Sequence, residues 1–172
     1  MKPIFLIGLP GSGKSTFGKS LASALNLNHV DLDQLIESKN NKSINALFEI
    51  YGEAYFREIE RNALQELLDK SSSDILSCGG GTPCFYDNMS RMNAAGLTVF
   101  LDIPVAIIVK RVATNHDRPL LKNKNLEKTI TQMRVERIQY YNQAQIIFSE
   151  PGNQAKQVLE IQSYLKIQSK GK

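Results

Sequence analysis

A glycine-rich stretch over residues 8–16, with the sequence GLPGSGKST, contains the residue types that bind a triphosphate. It matches the pattern G-x-x-x-x-G-K-[ST], in which glycines let successive backbone N–H groups point at one anion. The N-terminus of a following helix adds a partial positive charge at the same place. Lys14 can reach the β- and γ-phosphates, and the hydroxyl of Ser15 can ligate Mg²⁺. The stretch therefore predicts a nucleotide site formed by Gly11, Ser12, Gly13, Lys14, Ser15 and Thr16.

The flanking residues decide between this reading and an ordinary turn from a strand to a helix. The apolar run over residues 4–7 is short enough for one buried strand, and the large apolar residues over 14–25 follow helical spacing. Strand, glycine-rich turn and helix are the context that the pattern requires. The flanks therefore favour the phosphate loop over the ordinary turn.

Two aspartates, Asp31 and Asp33, follow the second predicted strand. Ligands of an open parallel sheet bind beyond the carboxyl ends of its strands, so both side chains are expected to border the cleft of the phosphate loop. Asp31 is suited to hold a Mg²⁺-bound water, and Asp33 to accept a hydrogen bond from a substrate hydroxyl. The alternative is a helix cap beside a surface acid.

Three consecutive glycines, Gly79, Gly80 and Gly81, follow the third predicted strand. Each loses more backbone entropy on folding than alanine would, at a cost of roughly 0.5–1 kcal/mol. A run of three therefore indicates that the fold or the function requires glycine at these positions. One reading is that a small ligand approaches the backbone N–H groups closely. The other is a flexible turn.

Several arginines are candidates for binding an anionic substrate. Arg57 and Glu60 are three residues apart on a predicted helix, where such a pair is usually a solvated bridge. The alternative is that Glu60 aims the guanidinium at a carboxylate, which its planar fork binds with two hydrogen bonds. Arg134 and Arg137 share one helical face, and Arg118 lies in a polar stretch. A basic residue on a mobile loop can supply charge to a transition state, as lids do.

The elements that position these residues alternate between strands and helices. Five strands are predicted near residues 3–8, 29–32, 75–78, 97–101 and 146–148. Eight helices are predicted: near 14–25, one that begins at about residue 33, and near 43–50, 53–69, 86–95, 104–112, 126–143 and 153–168. Gly52 is expected to separate the helix at 43–50 from the helix at 53–69. Such alternation predicts an α/β fold with one parallel sheet covered on both faces. The polar segments near 33–61 and 113–124 are expected to be lobes on a single domain that spans 1–172.

Composition narrows the class of protein. With 172 residues, 42% hydrophobic and 22% charged, the chain is expected to form one globular domain with a sizeable core. The net charge of +4 is modest and its basic residues are scattered, which does not favour nucleic-acid binding. Cys78 and Cys84 lack a disulfide or zinc pattern, and His29 and His116 are expected to be surface or packing residues. No secretory signal or membrane span is evident, so a cytoplasmic protein is expected.

Taken together, these motifs resemble the shikimate kinase family over roughly residues 3–148. The resemblance rests on the phosphate loop, on Asp31-Leu32-Asp33, and on the run from Ile44 and Phe48 through Gly52-Glu53 and Phe56-Arg57 to Glu60. It continues with Gly79-Gly80-Gly81, Arg118-Pro119-Leu120, and Glu136-Arg137 followed by Tyr141 and Ala144. Two departures are Gln139, where the family often has proline, and a weak match after residue 150.

The resemblance implies a role for each matching residue. Asp33, Arg57, the triple glycine and Arg137 correspond to shikimate contacts, with both arginines on the carboxylate and Asp33 on the ring hydroxyls. Asp31 would hold Mg²⁺ through water, and Ser15 would ligate it directly. Arg118 corresponds to a lid arginine that reaches the phosphates, and Arg111 to a position that often packs on adenine. Lys14, Asp33 and Arg118 are the residues expected to act in catalysis.

The resemblance also implies a fold and an activity. The fold is a three-layer α/β/α sandwich with strand order 2-3-1-4-5, a substrate lobe at about 33–61 and a lid at about 113–124. The activity is transfer of the γ-phosphoryl group of ATP to the 3-hydroxyl of shikimate, with Mg²⁺ as cofactor, on the route to chorismate and the aromatic amino acids. A related kinase, such as one for gluconate, and a nucleotide-binding regulatory module without turnover are the alternatives. A monomer is expected.

Overall fold

The computed structural model describes residues 2–70, 74–113, 125–149 and 153–170. Within these residues the strands are β1 (Ile4–Ile7), β2 (His29–Asp31), β3 (Ile75–Ser77), β4 (Leu97–Leu101) and β5 (Ile146–Phe148). The helices are α1 (Lys14–Leu25), α2 (Leu32–Asn40), α3 (Ile44–Asp69), α4 (Asn88–Ala95), α5 (Val105–Ala113), α6 (Leu126–Tyr141) and α7 (Gln154–Lys170). A short 3₁₀ turn covers Thr82–Cys84.

The five strands form one parallel sheet in the order β2-β3-β1-β4-β5. This confirms both the α/β class and the strand order expected from the resemblance. Because every strand runs in the same direction, all carboxyl ends meet at one edge of the sheet. Ser77 pairs with Leu6 on one side and with Asp31 on the other, so the ends of β1, β2 and β3 lie next to one another.

The middle of the sheet is the core of the molecule. All four residues of β1 are fully buried, and β4 is buried along its whole length. A continuous apolar run of this kind is typical of a parallel strand that is covered on both faces. The helix α1 packs against β3 and α7, while α4 packs against β4 and α5 against α6. The helices therefore hold the sheet rigid beneath the loops at its carboxyl edge.

The helix α3 contains a sharp kink at Gly52. This glycine has φ 78° and ψ 173°, a conformation that is not helical and that strains residues with a side chain. The prediction of one helix before Gly52 and a second after it is thus confirmed. The first half begins at Ser43, whose side chain accepts a hydrogen bond from the N–H of Ala46. The second half carries Arg57 and Glu60, and its Glu66 contacts Lys39 of α2.

Other element boundaries differ from the predicted ones by one or two residues, and the 3₁₀ turn at Thr82–Cys84 was not predicted. The predicted lid at about 113–124 lies outside the described residues except for Ala113, so Arg118 and His116 are outside them as well. None of the helices in the described ranges combines the length and apolar character that a bilayer crossing requires.

Candidate active site

The glycine-rich loop joins β1 to α1. Gly11 and Gly13 have φ values of 84° and 97°, and Gly13 is the residue before the first turn of α1. Residues other than glycine rarely adopt this backbone conformation, which explains why glycines occupy these two positions. The ammonium group of Lys14 donates to the carbonyl oxygens of Gly8 at 2.9 Å and Leu9 at 3.0 Å. Lys14 is therefore folded back over the loop, where its charge adds to the N-terminus of α1.

A second cation lies beside this loop. The Nη1 atom of Arg111, on α5, donates to the carbonyl oxygen of Ser12 at 3.1 Å. A β-carbon on Gly13 would lie 3.5 Å from the same nitrogen atom. Arg111 thus borders the phosphate loop, as expected of a residue that contacts a nucleotide.

Ser15 and Asp31 connect the phosphate loop to the end of β2. The Ser15 hydroxyl donates to Oδ2 of Asp31 at 2.6 Å. The other carboxylate oxygen of Asp31 accepts hydrogen bonds from the N–H groups of Asp33 and Gln34, which caps α2. The helix-cap alternative is therefore correct for Asp31, but the cap uses one oxygen and leaves the other facing Ser15.

Asp33 lies near the first glycine of the triple-glycine run. A β-carbon on Gly79 would lie 2.8 Å from Oδ1 of Asp33 and 3.0 Å from Oε1 of Glu60. The first distance is shorter than real β-carbons show and the second is tight, so a side chain at this position would require both carboxylates to shift. Asp33 therefore faces the ends of β2 and β3, which excludes the alternative of a surface acid.

Arg57 is held by carboxylates on two of its edges. Its Nη1 donates to Oε2 of Glu60 at 2.8 Å, while Nε and Nη2 donate to Oε1 of Glu53 at 3.2 and 3.1 Å. The side chain of Glu60 is 1% exposed and that of Arg57 is 10% exposed. The pair is thus buried, which excludes the solvated bridge. Of the five N–H donors of a guanidinium, these contacts use three and leave one on each terminal nitrogen for a ligand.

Aromatic rings fix the plane of the same guanidinium. The central carbon of Arg57 lies 4.1 Å from the ring centroid of Phe85 and 5.1 Å from that of Phe56. The backbone of Gly81 also lies close, because a β-carbon there would be 2.7 Å from both terminal nitrogens of Arg57. Stacking and close backbone contact restrict the rotamers of the arginine, so its remaining donors have a fixed direction.

The triple glycine packs against charged side chains and is not a flexible turn, while close approach of a ligand to its backbone stays a prediction. Gly79, Gly80 and Gly81 all have φ values outside the left-handed region. Their lack of side chains instead lets Asp33, Glu60 and Arg57 approach the backbone. Gly80 is also fixed, because the hydroxyl of Tyr141 donates to its carbonyl oxygen at 2.6 Å. The run is therefore a packed backbone surface rather than a flexible turn.

The two arginines of α6 have different surroundings. A β-carbon on Gly80 would lie 3.2 Å from Nη1 of Arg137, which places this guanidinium at the triple glycine. Arg134 instead forms a two-pronged ion pair with Asp102 at the end of β4. The hydrogen bond with Asp102 raises the pKa of Arg134. The two arginines thus share a helix face in the sequence pattern but have separate contacts in the structure.

Neutral groups surround the arginines near the glycine run. Burial raises the pKa of the Tyr141 hydroxyl, which is fully enclosed, well above its usual value. Burial also raises the pKa of the half-buried Cys84 thiol to about 11. Both groups are therefore neutral at physiological pH, so neither offsets the positive charge of Arg137, whereas Arg57 is paired with Glu53 and Glu60.

Residues of the phosphate loop, both aspartates, Arg57, Glu60, the triple glycine and Arg137 line one cleft of about 680 Å³. Its lining includes Gly11, Gly13, Lys14, Ser15, Thr16 and Arg111 at the phosphate loop, and Asp33, Phe48, Arg57, Gly79, Gly80, Gly81 and Arg137 near the triple glycine. Asp31, which accepts a hydrogen bond from Ser15, also lines the cleft. A cleft lined by a phosphate loop together with two arginines and a carboxylate can hold a nucleotide next to a small hydroxylated anion.

Known proteins similar to the chain show which family it belongs to. A family model described as shikimate kinase matches residues 10–166. The chain belongs to the shikimate kinase family. A shikimate kinase of Azobacteroides pseudotrichonymphae is 43% identical over 152 residues, which cover 86% of this chain and 89% of the relative. One from Clostridium botulinum is 38% identical over 168 residues, covering 96% of this chain and 98% of the relative.

Solved structures of the family have the same fold. The crystal structure of shikimate kinase from Bacteroides thetaiotaomicron has a TM-score of 0.89 at 40% identity, and the comparison covers 96% of this chain and 98% of that one. The shikimate kinase from Acinetobacter baumannii in complex with shikimate has a TM-score of 0.87 at 29% identity, covering 100% of this chain and 96% of that one. The chain is therefore an enzyme, a kinase of this family.

Some residues of the site were not identified from the sequence. Thr82 and Phe85 follow the triple glycine, and neither belongs to a motif that names a function. Glu53 belongs to the family resemblance, but its contact with Arg57 is seen only in the structure. The helical spacing of Glu53 and Arg57, four residues apart, was the available signal for that contact.

Proposed function

We propose that this shikimate kinase transfers the γ-phosphoryl group of ATP to the 3-hydroxyl of shikimate, giving shikimate 3-phosphate and ADP. One observation carries the proposal: Lys14 and Ser15 line the same cleft as Asp33, Arg57 and Arg137. The first pair suits a triphosphate, and the second set suits a ring that bears one carboxylate and several hydroxyls. Phosphoryl transfer asks a protein chiefly to position these two groups and to stabilise charge.

The carboxylate of shikimate is assigned to Arg57 and Arg137. Arg57 has two N–H donors beyond those used by Glu53 and Glu60, and a carboxylate accepts two parallel hydrogen bonds from a guanidinium. Arg137 supplies a second positive charge at Gly80. A pair of fixed cations at one end of the substrate leaves its hydroxyls directed at the other end of the cleft.

The reacting hydroxyl is assigned to Asp33. Its carboxylate accepts the hydrogen bond of the 3-hydroxyl, and the hydroxyl oxygen then forms a bond to the γ-phosphorus. The bond from that phosphorus to the oxygen of the β-phosphate breaks, and the electron pair leaves with ADP. The hydroxyl proton passes to Asp33. Lys14 and the N-terminus of α1 stabilise the negative charge on the phosphates.

The donor set at Ser15 and Asp31 fits a Mg²⁺ ion. The two oxygen atoms are 2.6 Å apart, and hydroxyl and carboxylate oxygens are ligands that Mg²⁺ prefers. No group of three or more acidic, histidine or cysteine side chains among the described residues could hold a metal without further ligands. This suits an ion that takes most of its ligands from phosphates and water. When bound, the ion neutralises charge on the β- and γ-phosphates.

The proposal is tested by measuring ADP release in the presence of ATP and Mg²⁺ with shikimate, with gluconate or with no acceptor. Release that depends on shikimate, with shikimate 3-phosphate as the product, supports the proposal. Release that depends on gluconate would assign the chain to another small-molecule kinase. ATP binding without release under any of the three conditions would instead indicate a regulatory module.

A further inference from the structure

A buried threonine outside the recognised motifs contacts the carboxylate that holds Arg57. The Thr82 hydroxyl donates to Oε1 of Glu60 at 2.6 Å, while Oε2 of the same carboxylate accepts from Arg57 at 2.8 Å. Thr82 is 0% exposed and Glu60 is 1% exposed. The two oxygens of Glu60 therefore have different tasks: one binds the arginine and the other binds the threonine.

The hydroxyl itself is held in place by the backbone around it. The N–H of Thr82 donates to the carbonyl oxygen of Gly79 at 3.1 Å. Its own carbonyl oxygen accepts from the side-chain amide of Asn88 at 3.0 Å, and Asn88 is also fully buried. The 3₁₀ turn that begins at Thr82 thus fixes the donor relative to the triple glycine.

A carboxylate at this depth requires such a donor. A buried charge is costly unless its partner and hydrogen bonds satisfy it. The O–H to carboxylate distance of 2.6 Å is typical of a short charge-assisted hydrogen bond. Without the hydroxyl, Oε1 of Glu60 would be buried and would lack that hydrogen bond. The carboxylate would then lower its free energy by rotating away from its present position.

Rotation of Glu60 would be transmitted to the substrate site. Arg57 contacts Glu60 through Nη1 and the half-exposed Glu53 through Nε and Nη2. Glu53 is 58% exposed, so it holds the guanidinium less firmly than the buried partner does. The stacked rings and Gly81 restrict the plane of the guanidinium. Within that plane, the direction in which Arg57 presents its remaining donors depends on Glu60, and through Glu60 on Thr82.

We propose that Thr82 is a positioning residue for carboxylate recognition, acting through Glu60 on Arg57. This inference rests on the proposed function, in which Arg57 binds the carboxylate of shikimate. Thr82 has no role in the phosphoryl step itself. Its removal is therefore expected to weaken shikimate binding and to leave both the ATP site and the turnover of bound substrate close to normal.

The test compares Thr82→Val, which has nearly the same shape but no hydroxyl, with Thr82→Ser, which keeps the hydroxyl. The valine variant is expected to raise the KM for shikimate about tenfold, as the loss of one charge-assisted hydrogen bond implies, with kcat and the KM for ATP within about twofold of wild type. The serine variant is expected to stay within about twofold of wild type in all three constants. Thr82→Ala, which removes the hydroxyl without adding bulk, takes the place of the valine variant if that does not fold.

A second comparison tests the route through Glu60. Thr82→Val is combined with Glu60→Ala, and the KM of the double variant is compared with that of Glu60→Ala alone. The proposal expects no further rise, because the threonine then has no carboxylate to hold. An additive rise in KM, a fall in kcat at unchanged KM, or a serine variant as impaired as the valine variant would each overturn it.

The wild-type enzyme in the same assay separates this inference from the proposed function. If wild type shows no shikimate-dependent ADP release, the proposed function fails, and the role of Thr82 fails with it. If wild type is active and Thr82→Val has a normal KM for shikimate, only the role of Thr82 fails.

Discussion

The hydroxyl of Ser15 donates to Oδ2 of Asp31 at 2.6 Å, which joins the phosphate loop to the end of β2. Asp31 also caps α2 through its other oxygen. One carboxylate therefore caps a helix and, in the proposed function, also holds the metal, and these two tasks are separable. Substitutions at this position can distinguish them, because asparagine caps a helix about as well as aspartate does.

The first prediction concerns Asp31→Asn and the requirement for magnesium. The variant is expected to keep the thermal stability of wild type, since the amide oxygen can still accept from the N–H groups of Asp33 and Gln34. Loss of the charge is expected to raise the Mg²⁺ concentration for half-maximal activity about tenfold or more. Activity against Mg²⁺ concentration and a melting curve measure the two effects. An unchanged Mg²⁺ requirement would contradict the metal role.

The second prediction concerns Asp33 as the partner of the reacting hydroxyl. Asp33→Asn keeps the size of the side chain but cannot accept the proton. The expected result is a fall in kcat of about 10²-fold or more, as for the loss of a general base, with the affinity for ATP unchanged. Steady-state kinetics and direct measurement of ATP binding test this. Near-normal turnover would exclude Asp33 as the general base and leave it as a residue that only contacts the substrate.

The third prediction concerns the planar fork of Arg57. Arg57→Lys keeps the positive charge but has three N–H donors in place of five, so it cannot keep all the contacts with Glu53 and Glu60 and also bind a carboxylate with two hydrogen bonds. The KM for shikimate is expected to rise about tenfold or more, because hydrogen bonds to a charged group are lost, while the KM for ATP stays the same. The measurement is a shikimate titration at saturating ATP. A KM equal to that of wild type would show that charge alone is sufficient.

Much of this site could be predicted because its parts are local in the sequence. The phosphate loop is a contiguous pattern, and the strand order follows from alternation together with the family resemblance. Arg57 and Glu60 are three residues apart on one helix, so their contact was foreseeable. Gly52 interrupts the helix that carries them, as its residue type predicts.

What could not be predicted depends on side chains that are distant along the chain. Thr82 contacts Glu60 across 22 positions, and Tyr141 holds Gly80 across 61. The sequence alone allows the glycine run to be open to a ligand or flexible, because it does not show which side chains pack on it. Only the folded arrangement shows that Asp33, Glu60 and Arg57 do so.

The fourth prediction concerns the close contact of Gly81 with Arg57. A β-carbon at this position would lie 2.7 Å from both terminal nitrogens of the guanidinium. Gly81→Ala is therefore expected to displace Arg57 and to raise the KM for shikimate, with a smaller effect on the KM for ATP.

Gly79→Ala is the informative comparison, because its β-carbon would meet Asp33 and Glu60 instead. This variant is expected to lower kcat as well. Steady-state kinetics of both variants, with melting curves to verify folding, measure these effects. Equal kinetic effects of the two substitutions would contradict the separate packing of these glycines.

The fifth prediction separates the two arginines of α6. Arg137→Ala is expected to raise the KM for shikimate about tenfold or more, because it removes a charge-assisted contact with the carboxylate. Arg134→Ala removes the same charge from the same helix, but its partner is Asp102, and both side chains are partly exposed. It is therefore expected to lower the free energy of unfolding by about 1 kcal/mol and to leave the KM for shikimate nearly unchanged.

Kinetics and chemical denaturation of the two variants test this contrast, and Asp102→Asn is the matched control for the ion pair. Because the pair consists of one arginine and one aspartate, the double variant Asp102→Asn/Arg134→Ala should be little less stable than either single variant. An effect of Arg134→Ala on the KM as large as that of Arg137→Ala would mean that the ion pair does not keep Arg134 away from the substrate. In that case the carboxylate would be bound by three arginines, and the assignment of Arg134 to the end of β4 would apply only to the enzyme without substrate.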